Sequence, residues 1–247
     1  MATVVRGERR PFGPIANDVS GLASTLSQVG GEGVCRWKML MNGMHLEGEW
    51  NCVEYVVIEP GASVGEHVHL RTEEIYYIVS GRAVVTMDGV EIHAEAGDLI
   101  TTPIGSAHSI ANRGDEDMHF FVTEVFPNAG PAKAPARVHV PGLLADRADG
   151  ADIRSASVDL TPYFTGDWQR FRLVEVAAGS RWEETVPAGT SVVLHVLEGS
   201  ARIAVDSIGH TGGAGLSVAV PPRYPFTVDD TSGSGRVSLI VTEVGVA

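Results

Sequence analysis

The chain has 247 residues, with 18 Lys and Arg against 31 Asp and Glu, a formal charge of −13 at neutral pH and 44% hydrophobic residues. That apolar share is enough to offset chain entropy, which excludes a disordered tail, and the acidic balance argues against a cationic surface for nucleic-acid backbones. The length admits one large domain or two of about 120 residues.

From the N-terminus, Met1 to Arg10 carries basic residues but no apolar stretch of the kind a secretory leader needs, and no later run approaches the roughly 18 apolar residues of a membrane span. A cytoplasmic protein without membrane or nucleic-acid partners is expected. Residues 1–33 read as an arm, in which Val19 to Val29 is the best stretch for a helix. Beyond it the chain breaks into short pieces rich in Val, Ile and aromatics, among them Asn51 to Ile58, Glu74 to Val79, Arg82 to Met87 and Phe120 to Val125. Turn formers bound each piece, as expected of strands. Asp88-Gly89 between Met87 and Val90 is a strong signal for a tight hairpin. Cys35 and Cys52 lie in such apolar runs and read as buried free thiols, two being too few for a disulfide scaffold. The reading is all-β.

The spacing of glycines repeats. Gly61, Gly81 and Gly97 recur as Gly179, Gly199 and Gly215, a shift of 118 residues that also carries Asp88 onto Asp206 and Pro103 onto Pro221. Val122-Thr-Glu-Val125 recurs as Val241-Thr-Glu-Val244, with one residue inserted. Shared turn positions at fixed offsets mark a tandem duplication of one β-domain. The expected division is a first domain at 34–127, a linker and lead-in at 128–162 and a second domain at 163–247, with the Pro- and Ala-rich 127–135 spanning the first boundary.

The first copy carries the chemistry. His67 and His69 are two apart on a strand and so share a face; Glu74 opens the next strand; His108 follows a Pro-x-Gly turn. Three imidazoles and one carboxylate suit a divalent transition metal with open coordination positions. Tyr76 and Ile78 share the face of Glu74, making the Tyr76 phenol a candidate general acid or base, with packing as its competing role. Tyr55 and Met41 are candidate lining residues of undetermined direction, Arg71 and Arg82 candidate contacts for an anion, and Asn112 a residue that secures a turn.

Gly61 to Gly81 reads Gly-x5-His-x-His-x4-Glu-x6-Gly, and Gly97 to Asn112 reads Gly-x5-Pro-x-Gly-x2-His-x3-Asn. These stretches resemble the two motifs of the cupin superfamily at every specified position. The resemblance implies tandem double-stranded β-helix barrels of jelly-roll type, a metal held by His67, His69, Glu74 and His108, and a homo-oligomer. It also selects Glu74 over Glu73 as the ligand. Under the 118-residue shift those ligands become Thr185, Pro187, Val192 and Phe226, so the second barrel is expected to keep the fold and lose the metal. His195 aligns with Tyr77, of opposite parity to Glu74, and is expected to face away from its barrel's interior.

A divalent ion with one carboxylate ligand leaves a net positive centre that favours an enolate, carboxylate or hydroxy-ketone on a small-molecule substrate. An Fe(II)-dependent dioxygenase is the first reading. The alternatives are a non-redox lyase, decarboxylase or isomerase using Mn, Zn, Ni or Fe with Tyr76 as proton-transfer group, and a non-catalytic small-molecule binding protein.

Overall fold

The apolar runs form strands because their residues alternate between two faces, and inner strands such as Glu73–Ser80, Asp98–Thr102, Met118–Val125, Thr190–Glu198 and Val237–Gly245 bury both. In the computed structural model, which describes residues 14–145, 152–233 and 235–246, these strands make four antiparallel sheets. A seven-stranded sheet runs Ala136–His139, Asp98–Thr102, Glu73–Ser80, Met118–Val125, Trp50–Ile58, Val34–Asn42 and Ala23–Leu26. Facing it is a four-stranded sheet of Ser63–Val68, Ala107–Asn112, Arg82–Met87 and Val90–Glu95. Together they enclose an apolar core that includes Val56, Ile78, Val85, Ile110 and Phe120.

The second half repeats the plan. A six-stranded sheet runs Ala16–Asn17, Ser217–Val220, Thr190–Glu198, Val237–Gly245, Trp168–Val176 and Ile153–Asp159. It faces a four-stranded sheet of Arg181–Thr185, Pro225–Asp230, Ser200–Val205 and Ile208–Gly213. The 118-residue shift superposes Trp50–Ile58 on Trp168–Val176 and Ala107–Asn112 on Pro225–Asp230 end for end. Backbone angles repeat with it: φ is +86° at Gly81 and +85° at Gly199, and +95° at Gly97 and +94° at Gly215. These are left-handed turns, which glycine adopts without a steric penalty. The Asp88-Gly89 turn also has positive φ at both residues, and Met87 pairs with Val90 as the hairpin signal requires.

The two large sheets pack against each other. Tyr55, Ile75, Tyr77, Leu99 and Phe121 from the first barrel meet Phe171, Leu173, Val193, Ile240 and Val244 from the second in one continuous core. Truncating a fully buried aromatic such as Phe121 to alanine would cost about 3–5 kcal/mol. His195 lies in this seam, 1% exposed, its ring 4.6 Å from Phe121 and its Nδ1 2.8 Å from the Ser217 hydroxyl, so it faces away from its own barrel's interior. Tyr55 and Met41 belong to the same seam rather than to the first barrel's interior.

Segments flanking the expected cores join the sheets. Ala16–Asn17 pairs with Val218 and Ser217 of the second barrel, while Ala23–Leu26 pairs with Val34 to Trp37 of the first. Ala136–His139 pairs with Asp98–Thr102, and Ile153–Asp159 with Trp168–Val176. Residues 1–13 of the expected arm and 146–151 of the expected lead-in lie outside the described residues. The Val19 to Val29 stretch is not helical: it forms Ala23–Leu26 and a 3-10 turn at Gln28–Gly30. Its Ser, Thr and Gly residues disfavour a helix, and the free edge of Val34–Asn42 supplies the pairing instead. Cys35 and Cys52 are both buried free thiols.

Candidate metal centre

His67 lies on Ser63–Val68 and faces His108 of Ala107–Asn112 as a direct cross-strand partner. His69 lies one residue past that strand end, held by its N–H to Ser106 O at 3.1 Å and its carbonyl to Gly105 N at 2.7 Å. Glu74 arrives from the opposite sheet. The four side chains meet at their tips: His108 Nε2 lies 2.9 Å from His69 Nε2, 3.2 Å from His67 Nε2 and 3.2 Å from Glu74 Oε2. His69 Nε2 is 3.3 Å from the same carboxylate oxygen. The ligating atoms of the three histidines lie within 4.8 Å of one another.

The other nitrogen of each ring is held from behind. His67 Nδ1 donates to Gly65 O at 3.0 Å, which leaves the Nε2 lone pair inward. Hydroxyls sit behind the other two, Thr72 Oγ1 3.2 Å from His69 Nδ1 and Thr102 Oγ1 3.1 Å from His108 Nδ1. Oriented imidazoles of this kind are characteristic of metal ligands.

Electrostatics point the same way. Burial, with His69 and His67 alongside, pushes His108 down to about 2, which favours the neutral imidazole that a metal requires of a ligand. Burial raises Glu74 to about 7 against the opposing influence of the neighbouring His69 imidazole, and its Oε2 has no well-formed hydrogen bond although only 4% of the residue is exposed. Burial opposes the charged form of His69, but the adjacent Glu74 carboxylate holds its pKa above the ordinary value. A buried carboxylate oxygen without a donor, facing three imidazole nitrogens, is a donor set that a divalent cation satisfies.

Tyr76 stacks on His108, ring centroids 5.0 Å apart and 20° from parallel, with its hydroxyl 3.3 Å from His108 Nε2. Burial, and then the Glu74 carboxylate, hold this phenol well above its ordinary range. A cavity of about 140 Å³ opens beside these groups, walled by Trp37, Val56, Tyr76 and Phe120 and also by Glu54 and Glu124.

Neither of those two glutamates stands out in the motif spacing. Their signal is parity: Glu54 shares the face of Val56, and Glu124 that of Val122, both first-barrel core residues. Arg71 is exposed at a turn, and Arg82 lies in a groove with Arg113 and Arg137; neither is among the cavity's walls. Asn112 bonds Ile58 O, Glu116 O and Gly114 N, and so secures a turn.

At the corresponding places in the second barrel, Val192 and Phe226 are core residues, and Phe226 packs edge-on against Trp182 with centroids 4.9 Å apart. Phe226 thus takes the place of His108 and Val192 that of Glu74, while Thr185 and Pro187, the counterparts of His67 and His69, are exposed.

A family model described as "Cupin domain" matches residues 54–124. Over 91 residues the chain is 34% identical to the "Oxalate-binding protein" of Thermotoga maritima, covering 37% of this chain and 75% of that protein. Among solved structures, a deletion mutant of Bacillus subtilis oxalate decarboxylase superposes with a TM-score of 0.70 at 16% identity, covering 94% of this chain and 77% of that one. The salicylate 1,2-dioxygenase of Pseudoaminobacter salicylatoxidans does so with a TM-score of 0.61 at 15% identity, covering 79% and 69%. At these identities the structural likenesses establish the fold.

Proposed function

The chain belongs to the cupin family, and from that premise we propose that its first barrel is a metal-dependent enzyme acting on a small organic metabolite, an Fe(II)-dependent dioxygenase. The observation that carries this reading is the convergence of His67, His69 and His108 Nε2 on Glu74 Oε2, beside a cavity that His67 and Glu74 help to line. Fe(II) held there would supply a Lewis acid and a one-electron donor. The protein's own contribution is positional. Gly65 O, Thr72 and Thr102 orient the imidazoles, while Trp37, Val56 and Phe120 wall the cavity with apolar surface that limits access of water. Both a dioxygenase and oxalate proteins occur among the similar proteins, so the family restricts the reaction less than the site does.

One observation favours a second reading, a lyase, decarboxylase or isomerase without redox chemistry. The Tyr76 hydroxyl reaches His108 Nε2 and stands where a proton could pass to or from a substrate. Elemental analysis of the purified chain, then oxygen uptake with hydroxy-ketones and keto-acids, decides between them. The dioxygenase requires about one iron per chain and no turnover without oxygen. Anaerobic turnover would transfer the assignment to the second reading, and absence of stoichiometric metal would remove both.

A further inference from the structure

The two barrels also differ at the end of the small sheet remote from the metal centre. In the second barrel Asp230 pairs with Ala201, and the flanking residues Thr231 and Ser200 bond each other. Thr231 Oγ1 lies 3.1 Å from Ser200 Oγ, and the Thr231 N–H donates to Ser200 O at 2.9 Å. The 118-residue shift carries this place onto the Asn112–Ala83 pair of the first barrel, which Arg113 and Arg82 flank. Where one copy joins two hydroxyls, the other sets two guanidinium groups on adjoining strand ends. Like charges in cross-strand positions repel.

Neither arginine is neutralised in place. Among the described residues no ion pair or side-chain hydrogen bond engages Arg82, although Glu95 is its cross-strand partner. Arg113 has only Glu32, 3.9 Å away, and both of those side chains are more than half exposed. A third guanidinium arrives from Ala136–His139. Arg137 Nη1 donates to His93 O at 2.5 Å, and its Nε lies 3.6 Å from the fully buried carboxylate of Asp98. The three arginines line one groove of about 610 Å³, with Glu95 and Asp115 also on its walls. In a chain of formal charge −13, this is a local concentration of cations.

We propose that this groove is an anion site of the first barrel, separate from the metal centre, that takes a phosphoryl group as free phosphate or as a small phosphate ester. Guanidinium forks match phosphate oxygens in pairs. Three forks from three segments suit a tetrahedral group with three or more terminal oxygens better than a planar carboxylate with two. An anion placed between Arg82 and Arg113 relieves their mutual repulsion. The groove has the size of small-molecule sites. Glu95 and Asp115 offer acceptors to hydroxyls of an attached sugar or polyol, and together with the acidic chain they disfavour an extended polyanion. No wall is shared with the metal cavity. His108 pairs with Met87, four residue steps from the Asn112–Ala83 pair and so about 13 Å along the sheet. Phosphate binding here is independent of the chemistry at the histidines.

The test is isothermal titration calorimetry of the full chain at low ionic strength with inorganic phosphate, glucose 6-phosphate and malonate. At least one phosphate compound should bind with a Kd below about 1 mM, at least about tenfold tighter than malonate. Tighter binding of glucose 6-phosphate identifies an ester site, and tighter binding of inorganic phosphate a site for the free anion; either supports the assignment. The R82S/R113T variant carries the residues of the second copy and should bind phosphate at least about tenfold more weakly. Its urea midpoint without phosphate should equal or exceed that of the parent, because the second barrel folds with Ser200 and Thr231 in these places. H108A should bind phosphate as the parent does. No binding up to about 10 mM, malonate bound as tightly, or unchanged affinity in R82S/R113T would overturn the proposal. So would a lowered midpoint in that variant, which would make the arginines structural, or a loss of phosphate binding in H108A, which would place the anion at the metal centre.

Discussion

Glu73 and Glu74 are consecutive residues whose carboxylates serve opposite faces of one strand. Glu74 points into the first barrel beside His69 and His108, whereas Glu73 points out to the second half of the chain. There its Oε1 accepts from the backbone N–H and the hydroxyl of Thr165, and its Oε2 from the N–H of Gly166, each at 2.8 Å. Glu73 is fully buried, and these three donors supply its hydrogen bonds. One carboxylate belongs to the site and the other ties the barrels together.

That division separates stability from metal binding. Glu73→Ala leaves the part-buried N–H groups of Thr165 and Gly166 without their acceptor and should cost about 2–4 kcal/mol in urea unfolding, with metal content unchanged by elemental analysis. A loss of metal as large as that caused by changing Glu74 would show that the two carboxylates are not independent.

His108→Ala and Glu74→Gln should each lower metal affinity by at least about a hundredfold, read by competition with a chelator. Circular dichroism should remain that of the β-fold, because the second barrel already folds with Phe226 and Val192 in these places. Undiminished affinity in His108→Ala would count against the ligand set.

Tyr76→Phe tests the reaction class. Under the dioxygenase reading the phenol packs against His108, and oxygen-coupled kcat should stay within about tenfold of the parent protein at equal metal loading. A fall of about 10²–10⁴-fold, the range of a lost general acid or base, would favour the proton-transfer reading.

His195 should make the seam between the barrels acid-sensitive. Burial lowers its pKa to about 3, against an ordinary value of 6.5. Between those values the unfolded chain binds a proton that the folded one does not. This contribution to stability is therefore complete above pH 6.5 and declines by about 1.4 kcal/mol per pH unit on acidification towards 3. His195→Gln keeps a polar group near Ser217 without the titration. It should lower stability at pH 7 yet show a smaller loss between pH 7 and 5, compared by urea midpoints; equal losses in the two proteins would refute the assignment.

Much of the fold is legible in residue spacing because its signals are local. A glycine at a left-handed turn is required by the backbone at that point, so Gly61, Gly81 and Gly97 and their counterparts report the duplication directly. His67 and His69 share a strand face by the two-residue period, and the Pro-x-Gly turn places His108 at the start of its strand. The loss of the same ligands from the second copy is equally local. By itself, then, the sequence determined the β class, the duplication and the residues capable of forming the centre.

Tertiary structure decided which face means what. In Glu73–Ser80 both faces are buried, Tyr76 and Ile78 inside the first barrel, Ile75 and Tyr77 in the seam between barrels. Alternation tells the faces apart but does not say which one a second sheet will cover. For that reason the seam position of Tyr55 and Met41, the tie made by Glu73 and the placing of Glu54 and Glu124 in the wall of one cavity emerge only when distant strands are assembled. Contacts across barrels depend on packing between segments far apart in the chain, and no periodicity within one strand encodes them.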